Sequence, residues 1–230
     1  GVFGSVSATI SSITVTSPNG NEYWSGTKSI TWTASGIDGD KVDILYNAGS
    51  GNHLISAFQS YIAGTYSFNS IGINDGSTYK IIVADSNNYG TNDISNAVFT
   101  IDNTLPVLTL NSVTTPTSTG TQTISGTFTE TNLNSITVNG NVATSGAGTY
   151  SYLLSLNEGS NPITITATDL AGNARTVTSN IIADTIAPTV SSITVNPSYA
   201  NDAGRTLTIT VNFAETGTGM NTKYTVIPIE

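Results

Sequence analysis

Cysteine is absent from the 230 residues, histidine and methionine occur once each, and charged residues make up only 9%. Without cysteine no disulfide can staple the chain. Each folded unit must be held by its own core and strand pairing. One histidine, His53, excludes metal sites built from His or Cys pairs. It would have to serve any Ser-His-Asp triad, yet it follows Gly49-Ser50-Gly51-Asn52 with no G-x-S-x-G motif beside it. Six Lys and Arg residues, scattered through a chain of net charge −9 and pI about 4.2, cannot form a phosphate-binding stripe. Nucleic acid and anionic membrane surfaces are therefore excluded as partners. No apolar run approaches the length of a transmembrane helix. The only near match to an N-glycosylation acceptor, Asn196-Pro197-Ser198, is blocked by its proline.

The chain is instead rich in Ser, Thr, Asn and Gly, and it repeats itself. Ala63-Gly64-Thr65-Tyr66-Ser67-Phe68 returns as Ala147-Gly148-Thr149-Tyr150-Ser151-Tyr152, and in both copies an Asp (Asp85, Asp169) follows the Ala by 22 residues. Asn74-Asp75-Gly76-Ser77 is echoed by Asn157-Glu158-Gly159-Ser160. Ile101-Asp102-Asn103-Thr104-Leu105-Pro106 is echoed by Ala183-Asp184-Thr185-Ile186-Ala187-Pro188. Self-similarity at a fixed period marks an array of like modules, here of roughly 80–85 residues.

Short runs alternate apolar and polar residues between Gly, Asn, Asp and Pro, and helical periodicity appears nowhere. Strands are predicted at 13–16, 29–34, 42–46, 54–58, 64–68, 78–84 and 94–101. In the second module they fall at 107–111, 121–130, 135–138, 148–156, 162–168 and 176–182. Asn139-Gly140 signals a two-residue hairpin. The expected fold is all-β: tandem immunoglobulin-like Greek-key sandwiches, the third incomplete. The division is an N-terminal extension at 1–10 (an extra strand, a linker or, from Val6-Ser7-Ala8, the tail of a signal peptide), domain 1 at 11–101, domain 2 at 102–184, and the first half of a third domain at 185–230. In that third part, Ser191-Ser192-Ile193-Thr194-Val195 copies Ser11-Ser12-Ile13-Thr14-Val15, and Thr206–Glu215 parallels Thr121–Glu130.

Domain 1 carries Ile13-Thr14-Val15-Thr16-Ser17-Pro18-Asn19-Gly20-Asn21-Glu22-Tyr23-Trp24, then Ser29-Ile30-Thr31-Trp32 and the ending Asp93–Ile101. In these residues it resembles bacterial and archaeal Ig-like modules related to the yeast cell-wall Kre9/Knh1 N-terminal domain. That family usually has a second glycine where Asn21 stands. Domain 2, with Asp102…Pro106, Ile163–Asn173 and Asp184–Pro188, resembles a bacterial Ig-like "Big" domain. The resemblance implies a surface location, and modules of this kind serve as spacers, adhesin stalks and enzyme appendages alike.

In an Ig sandwich the BC and FG loops lie at the end where the chain enters, and the EF loop at the exit. Asp102, Glu130, Asn132, Asp169 and Asn173 should therefore collect at the entry to domain 2, with Asp75 facing them. An all-oxygen set suits Ca²⁺, which takes 6–8 such ligands. The resemblance implies Ca²⁺ at that junction. Asp and Asn capping their own turns is the alternative. Paired carboxylates in short turns leave no cleft for glycoside hydrolysis. Trp32 alternates with Ile30 and reads as core. Trp24 is either packed over the sandwich edge or part of a sugar platform. The expectation is a non-enzymatic, secreted or cell-surface stalk, adhesin or filament subunit. It would partner copies of itself or neighbouring Ig-like modules, including by donating the strand-like Gly1–Ile10 to a half-module. The alternative is a carbohydrate-binding accessory region of a secreted polysaccharide-active enzyme, with surface glycans as ligand.

Overall fold

The computed structural model describes residues 10–36, 40–196 and 208–214, and within them the chain is an all-β protein of Ig-like sandwiches. It divides into two compact units. The first is Gly1–Pro106 with Glu130–Asn134 and Thr168–Arg175; the second is Val107–Thr129, Ser135–Ala167 and Thr176–Glu230.

The first unit holds β1 (Ser12–Ser17), β2 (Tyr23–Trp24), β3 (Thr27–Ser35), β4 (Lys41–Asn47), β5 (Asn52–Ser60), β6 (Thr65–Asn69), β7 (Gly76–Asp85), β8 (Asn92–Ile94) and β9 (Phe99–Ile101). One sheet runs β1-β3-β6. The other runs β2-β9-β7-β4-β5, with β8 also on β7 and β2 parallel to β9. Period-2 alternation gives the first sheet one apolar face, while the central strands β4 and β7 of the second bury residues on both faces. Ile13, Val15, Ile30, Trp32 and Phe68 from the first sheet join Val42, Ile44, Tyr79, Ile81, Val83, Phe99 and Ile101 from the second in one core. Trp24 is only 5% exposed, with its ring 4.9 Å from that of Phe99. It is a core residue and no platform for a sugar. Trp32 is buried as expected, its indole N–H donating to Tyr61 O at 3.0 Å.

The predicted run 94–101 is two strands. Ser95 still pairs with Ile81, but Asn96, Ala97 and Val98 bond to the turn at Asn19–Asn21, which lifts them off β7. Asn21, where the resembled family has glycine, sits at φ 67°, the left-handed region that Asn tolerates best among side-chain-bearing residues.

The second sandwich is built from β10 (Val107–Leu108), β11 (Thr121–Thr129), β12 (Leu133–Val138), β13 (Asn141–Val142), β14 (Thr144–Gly146), β15 (Thr149–Ser155), β16 (Gly159–Asp169) and β17 (Ala174–Ala183). Its sheets are β10-β11-β15-β14 and β13-β12-β16-β17. Ile124 and Tyr150 are buried on the first, Ile136, Val138, Ile163, Ile165, Ala167 and Ile181 on the second. Each large apolar side chain among them contributes about 1.5–3 kcal/mol by leaving water. Asn139 and Gly140, at φ 48° and 82°, make the predicted two-residue turn between β12 and β13.

The repeated Ala-Gly-Thr-Tyr motif does the same work in both sandwiches. Gly64 and Gly148, at φ 63° and 77°, turn the chain into β6 and β15 while their carbonyls accept Trp32 N and Phe128 N from β3 and β11. The described part of the third segment is an antiparallel pair, β18 (Thr189–Asn196) and β19 (Thr208–Ala214). Val190, Ile193 and Val195 on β18 are exposed and stand opposite Phe213, Val211 and Ile209. Of the expected extension and donor strand Gly1–Ile10, Ile10 is buried in the core of the first sandwich; residues 1–9, and Thr206, Leu207 and Glu215 of the parallel with domain 2, lie outside the described residues.

Gly126 lies at the tightest approach in the second sandwich. A Cβ there would stand 2.0 Å from Thr109 O and 2.7 Å from the Tyr150 hydroxyl, which itself donates to Thr109 O at 2.8 Å. Gly126→Ala must push β10 off β11 and break that bond. It is expected to cost at least about 2 kcal/mol in denaturant unfolding. A loss under about 0.5 kcal/mol, the range of ordinary surface substitutions, would show that the approach is not tight.

Candidate functional site

The repeated Asp at the end of β7 and β16 faces the incoming chain in both sandwiches, and the incoming residue sets the local chemistry. In the first, buried Asp85 accepts Ile10 N at 3.0 Å and Asn87 N at 2.8 Å, so backbone donors satisfy it. In the second, the incoming residue is Asp102, itself a carboxylate.

Asp102, Glu130 and Asp169 each offer a carboxylate oxygen within 4.8 Å of the others; Asp102 and Asp169 are buried, Glu130 half-buried. Asn132 and Asn173 frame this trio. Asn132 Nδ2 donates to Asp102 at 2.9 Å, and Asn132 N to Glu130 at 2.8 Å. Asn173 donates its backbone N–H and its Nδ2 to the two oxygens of Asp169, at 2.8 and 2.7 Å, and Nδ2 also reaches Asp102 O at 2.7 Å. Leu170 N donates to Asn132 O at 2.8 Å, tying the loop after β16 to the loop after β11. All of these residues belong to the first compact unit.

Asp75 is placed elsewhere. Its carboxylate accepts Asn103 N at 2.7 Å and the Thr104 hydroxyl, and it is not one of the trio. Three participants carry no signal by residue type. Ser25 donates to Asn173 Oδ1 at 2.6 Å, Asn103 Nδ2 donates to Ser70 O and Ile73 O, and Thr104 N donates to Asp102 at 3.3 Å. The echo of Asp102-Asn103-Thr104 at Asp184-Thr185 was the available clue for two of them.

Another buried acid, Asp43, accepts Ser86 Oγ, Tyr89 OH and Phe58 N. Burial pushes its pKa up, but the three donated hydrogen bonds outweigh this and hold it below the ordinary carboxylate value. Bonding to Asp43 raises the Tyr89 phenol in turn. His53 is exposed and stacks on Tyr46, ring centroids 4.8 Å apart. Among the described residues it has no hydrogen bond to a Ser or Asp, so no triad forms around it. The acidic trio offers hard oxygen ligands, which suit cation binding or charge–dipole bracing of loops.

Comparison with known proteins finds similarity to the following domains and proteins. The family model of glucodextranase domain B matches residues 106–185. Bacillopeptidase F of Bacillus subtilis is 31% identical over 206 residues, a match that takes in 87% of this chain and 14% of that protein. The chain thus spans a small fraction of the relative's length. Among solved structures, the fibronectin(III)-like modules of Clostridium thermocellum CbhA give a TM-score of 0.42 at 19% identity, over 74% of this chain and 93% of theirs. A three-Ig segment of titin gives 0.49 at 8%, over 90% and 75%.

Asn173→Asp removes a donor shared by Asp169 and Asp102 O and adds a further carboxylate. With no divalent cation in the buffer it is expected to destabilise the fold by about 2 kcal/mol in urea titration. An unchanged midpoint would mean that this amide braces nothing.

Proposed function

We propose that the chain is a non-catalytic, extracellular segment of tandem Ig-like modules that spans distance and presents surface, and that Asp102, Glu130 and Asp169 hold Ca²⁺ where domain 2 begins. The modules are 11–101, of the Kre9/Knh1-like type, 102–184, of the Big type, and a third from 185. Their partners are neighbouring modules or further copies of the chain. One observation supports the reading: the residues that recur between modules are the glycine turns and strands of β6 and β15, the acids at the ends of β7 and β16, and the linker residues after each sandwich, which build strands, turns and joints. The all-oxygen trio, with two members buried, suits a hard cation whose remaining ligands are water. Asn132 and Asn173 already hold the carboxylates in place for it.

A second reading has its own support. The glucodextranase domain B match favours an accessory region of a secreted polysaccharide-active enzyme. In that role the chain would bind glycan through exposed residues, because Trp24 and Trp32 are both buried. Co-sedimentation with insoluble polysaccharide would favour this reading. Self-association in light scattering without glycan binding would favour the first.

For the cation, millimolar Ca²⁺ is expected to raise Tm by at least about 5 °C over EDTA, and Asp169→Asn to abolish the rise while remaining folded. Equal Tm in Ca²⁺ and EDTA for the parent chain would overturn the calcium assignment and leave the spacer reading standing.

A further inference from the structure

Two of the repeated motifs lie apart in sequence, yet in the structure they touch each other, and they do so in both copies. In the first copy the Asp75 carboxylate, just before β7, accepts the backbone N–H of Asn103 at 2.7 Å and the hydroxyl of Thr104. In the second, the Glu158 carboxylate, just before β16, accepts the backbone N–H of Thr185 at 2.9 Å and the hydroxyl of the same Thr185 at 2.8 Å. Asn103 and Thr185 are equivalent: each comes directly after the Asp that closes the last strand of its sandwich. Each pairing lies inside one compact unit, Asp75 with 103–104 in the first and Glu158 with 185 in the second.

The two copies differ in a compensating way. Glu158 is one methylene longer than Asp75, and its hydroxyl partner comes one residue earlier in the linker. Both still end with one carboxylate taking a backbone N–H and a threonine O–H. A chance contact would not survive a change of acid by moving its second donor. The Thr185 N–H and hydroxyl also hold the Glu158 carboxyl below its ordinary value, the backbone bond contributing most.

From this recurrence we infer that the acid preceding β7 and β16 is a linker latch: each module clamps the first residues of its own outgoing linker, so the chain leaves each sandwich from a fixed point. A carboxylate suits the task because it accepts two donors at once and binds them more strongly than a neutral acceptor would. Both acids are exposed, so neither is required to fill a core. The latches do not depend on Ca²⁺ or on either reading of the chain's function, because they use none of the trio's carboxylates.

The test is amide hydrogen exchange on the full chain, read residue by residue by NMR, with Asp75→Ala and Glu158→Ala. Glu158→Ala is expected to speed exchange at Thr185 about tenfold, as loss of a charge-assisted bond at an exposed site implies. Asn103 and the core amide of Ile165 should not change. Asp75→Ala is expected to act on Asn103 and leave Thr185 unchanged, with a smaller effect because the Asn103 side chain still bonds to Ser70 O and Ile73 O. Unchanged exchange at Thr185 in Glu158→Ala would overturn the latch. So would equal acceleration throughout β16, which would make the acid a general stabiliser of the sandwich.

Discussion

The structure depends on three consecutive residues that look like a linker. Asp102 N donates to Trp24 O at 3.0 Å, and Asp102 O accepts from Asn173. Its side chain takes Asn132 and Thr104 N. Asn103 is bonded through both its backbone and its amide, and Thr104 through its hydroxyl. Loop backbone carries donors and acceptors that must be satisfied, and here Asp75 and Asn173 from neighbouring turns take Asn103 N and Asp102 O, while Trp24 O and the Asp102 carboxylate take the other two N–H groups. A chain without disulfides has to fix its joints by such means, since loop closure by a covalent bridge is unattainable.

The same constraint explains the composition. Strands rich in Thr, Ser and Asn give hydroxyls and amides that bond across exposed ladders, as Thr109 with Thr127 and Thr166 with Thr176 do. Most apolar side chains retreat to one face of each sheet, while β4 and β7 also bury Leu45 and Ile82 on the other face. Charge is used sparingly: Asp43 within β4, and Asp85 and Asp169 at the ends of β7 and β16, are all buried and all accept several donated bonds.

The strands and the core face were legible because alternation has only one physical cause here, burial on one side of a sheet. Trp32 in the core follows from its spacing to Ile30 alone. Trp24 could not be placed in the same way, because β2 is two residues long and its burial depends on a parallel pairing with β9, a contact remote in sequence. The split of the run at 94–101 was hidden for the same reason: the turn at Asn19–Asn21 competes for its hydrogen bonds. For the site, the convergence of Asp102, Glu130, Asn132, Asp169 and Asn173 is what Ig loop geometry dictates. Asp75 was drawn instead to the backbone N–H of Asn103. No pattern of residue types reveals a free main-chain donor, though the paired echoes did mark the segments that meet.

Backbone order at Asp102, Asn103 and Thr104, from ¹⁵N relaxation of the intact chain, tests most directly whether this linker is a built part of the fold. Order parameters near about 0.85, matching those of β7 and β9, are the predicted result. Values under about 0.6 at these residues, against rigid strands on either side, would show a flexible tether and contradict the account.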